Sequence, residues 1–436
     1  MTLAADAITE LGAYDLSTPE GLESYVARLQ EVRAVVGSGA SHEVAGVQPC
    51  AAYGYSTGFL VVGHTTQPLP RPHPRRTRLR DVPGDVIDMF PLVGDYTHAD
   101  IEPGCVQRIF DDRGRYTEEH HVPGVTKERA LESLLRSHAT NRVTGTCAGS
   151  DFPTAGELFN IVAEMNPVSG NSYPFSLSGL AKKDHALTHF SMVCLEVWNL
   201  IQVYSRIGFR PDLDLGLRSG YYQLTTAKPK YEVIKIGKVP RVICVAGHVA
   251  EVLERLVFTE HFTAVKQAKF ARDGHSMIGI AFTEDEDQSI REKFVDPAST
   301  DSNAFDFSVE TWEQVLACEA RILSQIGLSE MYADVQRGII LSSGYSPIVT
   351  PEGVCIVPIQ PGVGRSGVFR TSHENTDVRC MRAYAAGDYV RCVLDGAHVP
   401  KVLAASDDAV EEHSPYLPDV YAMFGYSVRD YENHGK

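Results

Sequence analysis

Two adjacent aspartates, Asp407 and Asp408, are the strongest candidates for chemistry in this sequence. They lie between the runs Val402–Ala405 and Ala409–Glu412, and this pattern predicts a tight hairpin with both acids at its tip. Close carboxylates repel each other unless cations neutralise them, and hard oxygen ligands favour Mg²⁺ or Mn²⁺. Because an Asp-Asp pair in a turn is more often a solvated loop, the pair alone does not establish a metal site.

A second pair of acids, Asp301 and Asp306, comes just before a long predicted helix over residues 308–326. That helix is predicted from apolar residues at spacings of three and four, with Gly327 at its end. An acid near a helix N-terminus is common and modestly stabilising, which is a sufficient structural explanation of Asp306. Asp301, at the end of a predicted strand, has no such explanation and is the better candidate for a functional group.

The segment from Ser366 to Asn375 predicts a turn followed by a helix. Ser366 and Gly367 form the turn, and the helix is predicted over residues 371–386. Thr371 and Asn375 lie four residues apart and therefore project along one face, where a hydroxyl and an amide can bind a ribose. The structural alternative is a loop–helix junction with an ordinary capping residue.

Basic residues are concentrated around two predicted strands, at residues 231–236 and 241–246. We expect these strands to pair as a ribbon on which Lys235, Lys238 and Arg241 contact a triphosphate, since arginine offers two parallel hydrogen bonds to phosphate. Lysines on an exposed ribbon are more often simply solvated, so this segment also has a structural alternative.

The remaining predicted elements mix helices and strands without the regular alternation of a doubly wound sheet. We predict helices at residues 127–138, 184–207 and 247–258. Residues 338–343 and 353–359 are predicted to be a hairpin pair of strands. The sequence therefore favours an α+β fold.

The composition is that of an ordinary globular protein, with 43% hydrophobic and 22% charged residues in a chain of 436. A chain of this length normally divides into about two or three domains or subdomains. The formal net charge of −16 is unfavourable for phosphate binding, but local clusters decide that question, and two occur at Arg71–Arg80 and Lys228–Arg241. The nine cysteines include no C-x-x-C pair, which argues against a disulfide framework and a cysteine-rich zinc site.

The N-terminus contains acids and has no basic region or long apolar core, so it does not predict a secretory signal. No stretch reaches the roughly 18 apolar residues of a membrane-spanning helix, because Glu196 and Asn199 interrupt the nearest one, Ser191–Tyr204. We therefore expect no transmembrane segment and an intracellular protein.

The order and spacing of these segments resemble the RNA-dependent RNA polymerases of positive-strand RNA viruses, in particular the sobemovirus, barnavirus and alvernavirus group. Ser366-Gly367, Thr371 and Asn375 match the family's motif B without a gap. The other matches, in the family's order, are motif F at Lys235, Lys238 and Arg241, motif A from Asp301 to Val309, motif C at Asp407-Asp408 and motif D over Tyr421–Asp430. The resemblance covers residues 231–431.

Three features depart from the family's pattern. Ser406 stands where motif C usually has glycine, which bears on turn geometry and on the preference between Mg²⁺ and Mn²⁺. Arg429 stands where motif D commonly has lysine, and arginine is a poor general acid because it hardly gives up its proton. The family continues into motif E and a thumb domain, and we expect no thumb within these 436 residues.

The resemblance implies a right-hand polymerase fold, with fingers and a palm whose antiparallel sheet packs on helices. We expect residues 1–290 to form mainly the fingers with an N-terminal extension, with part of the palm helices within residues 181–225 and motif F at residues 231–241. Residues 291–436 would form the palm and carry motifs A–D, with residues 330–365 partly in the fingers.

The resemblance also implies template-directed transfer of a ribonucleotide to an RNA 3′-hydroxyl with two Mg²⁺ or Mn²⁺ ions. Asp301 and Asp407 would hold the ions as catalytic ligands, with Asp408 in support. The residues implied to contact the nucleotide, the first three through its triphosphate and the others through its ribose, are Lys235, Lys238, Arg241, Asp306, Ser366, Thr371 and Asn375.

The implied partners are an RNA template, a primer or product strand and ribonucleoside triphosphates. A protein primer and other viral replication proteins are further partners of this kind of enzyme. The implied location is the host cell cytoplasm, in viral replication complexes.

Two alternatives stay open at this point. Gly362–Gly367 reads G-x-G-x-x-G with Asp388 about 20 residues on, which is the pattern of a dinucleotide-binding oxidoreductase. Few residues follow for the rest of such a domain, and the aspartates of motifs A and C are left unexplained. The other alternative is an RNA-binding protein that has the polymerase shape, lacks a thumb and does not polymerise.

Overall fold

The computed structural model describes residues 2–36, 46–69, 96–98, 104–113, 122–230, 232–268, 274–280 and 283–434. The basic cluster Arg71–Arg80 and the first residue of the predicted strand 231–236 lie outside the described residues. The helices are Thr2–Leu11 (α1), Pro19–Val36 (α2), Cys105–Arg113 (α3), Gly124–Ser137 (α4), Ala155–Ala163 (α5), Lys182–Thr188 (α6), Phe190–Arg206 (α7), Leu213–Ser219 (α8), His248–Gln267 (α9), Glu284–Lys293 (α10), Phe305–Ser308 (α11), Thr311–Leu323 (α12), Glu330–Tyr345 (α13), Thr371–Tyr389 (α14) and Leu417–Met423 (α15). The strands are Val47–Ser56 (β1), Phe59–Thr65 (β2), Tyr96–His98 (β3), Asn141–Arg142 (β4), Thr225–Pro229 (β5), Val233–Lys235 (β6), Val242–Val245 (β7), Pro297–Ser302 (β8), Gln325–Ile326 (β9), Ile348–Val349 (β10), Val354–Pro358 (β11), Val402–Ala405 (β12), Asp408–Glu412 (β13) and Val428–Asn433 (β14).

Two sheets organise the strands. The larger has the order β1-β2-β11-β10-β5-β7, in which β10 runs parallel to β5 and the other neighbours are antiparallel. The smaller sheet is antiparallel throughout, with the order β12-β13-β8-β14. Two short strand pairs, β3 with β6 and β4 with β9, lie outside these sheets. Helices and mostly antiparallel strands are thus combined in a mixed arrangement.

The smaller sheet packs on α4, α12 and α14 through a single hydrophobic core. Buried alanines are frequent in this core and include Ala385 and Ala386 on α14 and Ala404 and Ala409 on the strands. Because the distance between packed elements depends on the side chains at the contact, such small residues let α14 lie close to the sheet.

A second core joins α1, α2, α7 and α9. Every residue of α7 over Met192–Tyr204 is buried, which explains the long apolar run in the sequence, since a helix that is apolar all round belongs in a core. Its polar side chains have partners, because Glu196 pairs with Arg33 at 2.6 Å and Asn199 accepts a hydrogen bond from Tyr25 at 2.7 Å. None of the helices described in the structure combines the length and the apolar character needed to span a bilayer.

The predicted strand at residues 338–343 is wrong, because these residues lie inside the helix Glu330–Tyr345. A short apolar run does not by itself distinguish a strand from a buried helix. The helix packs closely on α7 at Gly338, where an added Cβ would lie only 2.5 Å from the Cβ of Tyr204. The predicted strand at residues 353–359 is confirmed as β11, which pairs with β10.

The predicted ribbon of residues 231–236 and 241–246 is wrong in its pairing. β6 pairs with β3, and β7 pairs with β5, both antiparallel. The hairpin that contains the basic segment is therefore closed by β5 and β7. The register of β5 is also tied to β10 on its other side, a long-range pairing that the local sequence does not reveal.

One predicted helix is interrupted. The prediction at residues 184–207 corresponds to α6 and α7, which are separated at His189, whose φ of −114° and ψ of 36° are not helical. The helix predicted at residues 308–326 is confirmed as the single helix α12, with its start shifted to Thr311 because Val309 and Glu310 are extended. The helices predicted at residues 127–138, 247–258 and 371–386 are confirmed, with shifted ends, as α4, α9 and α14.

A buried ion pair joins α14 to α12. Arg382 donates two hydrogen bonds to Glu313, at 2.6 and 2.8 Å, and the two side chains are 2% and 0% exposed. We expect Glu313→Gln to lower the free energy of unfolding by about 3 kcal/mol, because it leaves the Arg382 charge buried without its partner. Urea denaturation followed by circular dichroism measures the change.

The matched control is Asp287→Asn, which removes an exposed pair with Arg291 on α10 and should leave the free energy of unfolding nearly unchanged. Equal effects of the two substitutions would contradict a special contribution from the buried pair.

Candidate active site

The predicted acidic hairpin is present at the end of the smaller sheet. β12 and β13 pair antiparallel from Val402↔Glu411 to Ala405↔Asp408, so that Ser406 and Asp407 form the connecting turn. Ser406 has a left-handed backbone, with φ of +65°. This conformation suits glycine better than serine.

Helix α14 holds this turn in place. The amide of Ser406 donates a hydrogen bond of 2.9 Å to the hydroxyl of Thr376. Asn375, the preceding residue of the helix, has its side-chain nitrogen 3.4 Å from the Ser406 hydroxyl. Thr376 was not identified from the sequence, because a buried threonine inside a helix carries no signal of such a contact.

Asp301 lies on β8, beside the hairpin. Ala409 of β13 pairs with Thr300 of β8, so Asp408 and Asp301 are the next residues along two adjacent strands. On the other side of β8, Asp301 is paired in register with Asp430 of β14. The sheet therefore brings the predicted acids of motifs A and C together at one end of its strands.

Arg429 forms an ion pair with one carboxylate oxygen of Asp301. The same guanidinium donates a hydrogen bond of 2.7 Å to Asp430. Arg429 thus contacts a carboxylate that the sequence predicts to be a metal ligand.

The three acids are suitable ligands for divalent ions by their chemistry, but their positions in this structure are less suitable. Carboxylate oxygens are the ligands that Mg²⁺ and Mn²⁺ prefer. Burial, and then the neighbouring charge of Asp407, raise the pKa of Asp408, which is the electrostatic situation that a cation relieves. Within the described residues, however, Asp301, Asp407 and Asp408 do not form a group whose ligand atoms all lie within 4.8 Å of one another. A single ion held by all three would require them to approach one another.

Asp306, Ser366 and Asn375 form a hydrogen-bonded group next to the acidic turn. The Ser366 hydroxyl donates to one oxygen of the Asp306 carboxylate, and the Asn375 amide donates to the other at 2.9 Å. Burial raises the pKa of Asp306, these two hydrogen bonds oppose that effect, and the charge of Asp407 adds to it. Asp306 therefore lies close enough to Asp407 for their charges to interact.

The loop before α14 lies against β7. The amide of Cys244 donates a hydrogen bond of 2.6 Å to the Ser366 carbonyl. Gly367 has φ of +100°, and an added Cβ would lie 3.0 Å from the Cys244 carbonyl oxygen, so this position requires glycine. The Thr371 hydroxyl donates to the carbonyls of Arg365 and Val368, at 2.8 and 2.9 Å. Thr371 therefore stabilises the loop and does not join the Asp306 group.

Arg365, in the same loop, is a further residue that sequence reasoning missed. Its guanidinium is buried and donates to the Thr225 hydroxyl at 2.9 Å and to the Ser346 carbonyl. Burial lowers the pKa of Arg365 to about 10. Arg365 therefore connects the loop to the larger sheet. Its position in the sequence, between Gly364 and Ser366, does not indicate this role.

The glycine pattern Gly362–Gly367 does not have the surroundings of a dinucleotide site. Such a site needs a strand–turn–helix unit between parallel strands. Here the preceding strand, β11, is antiparallel to both of its neighbours, and the following helix leads to β12 in the other sheet. Asp388 is buried and is paired with Arg391. The oxidoreductase alternative is therefore not supported.

The predicted basic residues differ in their relation to the acids. Lys235 and Lys238 are exposed, and the amide of Lys238 closes a turn on the Lys235 carbonyl at 2.9 Å. Arg241 forms an ion pair of 2.6 Å with Glu232. Hydrogen bonding to Glu232 raises the pKa of Arg241, burial opposes this, and the charges of Glu232, Asp407 and Asp306 add to the rise. Of these three basic residues, Arg241 is thus the one whose charge interacts with Asp407 and Asp306.

Comparison with known proteins gives partial similarities to viral replicase polyproteins. The replicase polyprotein P2AB of Southern bean mosaic virus is 28% identical over 135 residues, which are 31% of this chain and 13% of that protein. Protein P2-P3 of Poinsettia latent virus is 28% identical over 129 residues, or 30% of this chain and 11% of that protein. Protein P1-P2 of Potato leafroll virus gives the same figures. No family model matches the sequence.

These similarities relate the chain to viral replicases. The matched stretch is a small part of each relative, so the activities of the whole relatives do not transfer to this chain by similarity alone.

The ion pair between Arg429 and Asp301 leads to a prediction about metal binding. We expect Arg429→Gln to raise the affinity for Mn²⁺ by up to about fivefold, because a partly exposed ion pair contributes at most about 1 kcal/mol and here opposes metal binding. Titration with Mn²⁺, followed by the electron paramagnetic resonance of the free ion, measures the affinity.

Arg391→Gln is the control, since Arg391 is a similarly exposed arginine that pairs with Asp388 away from these acids. An unchanged or weaker Mn²⁺ affinity in Arg429→Gln would contradict competition between the arginine and the metal.

Proposed function

We propose that this chain is an RNA-directed RNA polymerase, which transfers ribonucleotides to an RNA 3′-hydroxyl in the replication of a viral genome. The observation that carries the proposal is the chain of contacts from Asp306 through Asn375 to Ser406. It links three segments that are far apart in sequence, each of which resembles a different polymerase motif. The relatedness to replicase polyproteins supports the same conclusion.

In this proposal the fold is a right hand in which the smaller sheet, with α12 and α14, is the palm. Two Mg²⁺ or Mn²⁺ ions held by Asp301 and Asp407, with Asp408 in support, would supply activation of the 3′-hydroxyl and stabilisation of the leaving oxygen. Arg241 neutralises the triphosphate. Lys235 and Lys238, which have long exposed side chains, provide further and more mobile contacts. Base identity comes from pairing with the template RNA.

The group of Asp306, Ser366 and Asn375 is proposed to select the ribose. The Ser366 hydroxyl and the Asn375 amide already donate hydrogen bonds to the Asp306 carboxylate. A ribose 2′-hydroxyl can replace one of these hydrogen bonds without leaving a polar group unpaired. A deoxyribose cannot make this exchange, which gives a physical basis for discrimination.

The central test is Asp407→Asn. We expect nucleotide incorporation on a primed RNA template to fall on the order of 10³-fold or more, because the amide cannot supply the anionic metal ligand. Gel-based primer extension measures the rate, and circular dichroism checks that the fold is retained.

The control is Asp419→Asn on the exposed surface of α15, which should polymerise normally. Near-normal incorporation by Asp407→Asn would end the two-metal proposal. A wild-type chain that binds primed RNA and never extends it would instead favour the RNA-binding alternative.

Ribose selection gives a separate prediction. We expect Asn375→Ala to lower the preference for ATP over dATP by about 10-fold or more, because the Asp306 carboxylate loses the donor that orients it. The ratio of kcat/KM values for the two nucleotides measures the preference. Thr371→Ser keeps the hydroxyl that holds the loop and should leave the ratio unchanged. An unaltered ratio in Asn375→Ala would remove this group from ribose recognition.

A further inference from the structure

Three buried side chains, His138, His275 and Asp377, form a cluster on the far side of α14 from the candidate active site. Asp377 follows Asn375 by two residues, which turns its side chain about 200° away around the helix. His138 directly follows α4. His275 belongs to the segment that lies beside β12, where the Ala404 amide donates to the His275 carbonyl at 2.8 Å.

The spacing of the cluster is that of a metal site. The ligand atoms of the three residues all lie within 4.8 Å of one another. One carboxylate oxygen of Asp377 is 2.9 Å from Nε2 of His275 and 3.5 Å from Nε2 of His138. Tetrahedral zinc with ligands at about 2.0–2.1 Å places those ligands about 3.3 Å apart. An ion therefore fits with only small side-chain adjustments.

His275 has contacts on both of its ring nitrogens. Nε2 lies 2.9 Å from a carboxylate oxygen of Asp377, and Nδ1 lies 3.2 Å from both the hydroxyl and the carbonyl oxygen of Ser137. In the tautomer that donates the Nδ1 proton to Ser137, the Nε2 lone pair faces the Asp377 oxygen, and a metal ion between them can bind both.

His138 is the least satisfied member of the cluster. It is fully buried, and in the described part of the chain neither of its ring nitrogens has a hydrogen-bond partner. A metal ion between the three residues would use one of these nitrogens.

The surroundings supply the supporting contacts that metal ligands usually have. Arg321 donates to the second oxygen of Asp377 at 2.8 Å, which leaves the first oxygen directed to the histidines. The ring of His261 lies beside that of His138, with ring centroids 5.3 Å apart and an angle of 35° between the ring planes. Its Nδ1 is bonded to Asn141 at 2.8 Å, while its buried Nε2 has no partner among the described residues.

We propose that His138, His275 and Asp377 supply three ligands of a bound zinc ion. Imidazole nitrogens favour zinc over Mg²⁺, so this site is chemically distinct from the group of acids at the end of the smaller sheet. The ion would connect α4, α14 and the segment beside β12. It would thereby help to fix the position of β12, which is the first strand of the acidic hairpin.

The test is zinc binding to the full chain, measured in excess Mg²⁺ so that the acidic site does not contribute. After chelator treatment and dialysis against zinc, we expect about one zinc ion per chain by elemental analysis and a rise in melting temperature when zinc is added. His138→Phe keeps a ring in the core and removes one ligand. It should lower zinc affinity by about 100-fold or more and abolish the rise in melting temperature.

Two controls assign the metal to this cluster. His64→Phe, at an exposed position on β2 of the larger sheet, and Asp407→Asn, in the acidic turn, should both bind zinc as the wild type does. If His138→Phe does not fold, cobalt added to the wild-type chain should give the visible absorption of a tetrahedral site, and zinc should displace it. Absence of zinc binding and of the cobalt spectrum in the wild type would overturn the proposal.

Discussion

Burial of charge along α14 is the constraint on which much of the structure depends. Every residue over His373–Asp388 is buried, although charged side chains recur along the helix. A buried charge is unfavourable unless it is paired, so each neighbouring element supplies a partner. β13 supplies Glu411 to Arg379, and α12 supplies Glu313 and Arg321. These pairs fix the helix relative to the sheet and to α12 at the same time.

This fixed helix gives the candidate active site its geometry. Asn375 contacts Asp306, and Thr376 contacts the amide of Ser406. Neighbouring residues of a helix point about 100° apart, so consecutive positions reach two different segments of the chain. Asp377 points in a third direction, towards the buried histidines. One short stretch of this helix thus sets the relative positions of Asp306, the acidic turn and the histidine cluster.

The sequence predicted the local features of this arrangement better than the long-range ones. The hairpin around Asp407 and the helix after Ser366 follow from turn residues and periodicity, which act within a few residues. The pairing of Arg429 with Asp301 depends on the register of β14 against β8, and the pairing of β7 with β5 depends on a partner far along the chain. His138 stands far from the other members of its cluster in sequence and forms no spacing pattern with them, so only the folded chain reveals it.

The left-handed backbone of Ser406 has a consequence for motion at the acidic turn. A residue with a side chain in this conformation is less stable by about 1–2 kcal/mol than in an ordinary one, and the Thr376 hydroxyl helps to hold it there. If α14 shifts, that hydrogen bond weakens and the turn can relax towards a more favourable backbone conformation. The Thr376 hydroxyl therefore connects the backbone conformation of the turn that carries Asp407 to the position of α14.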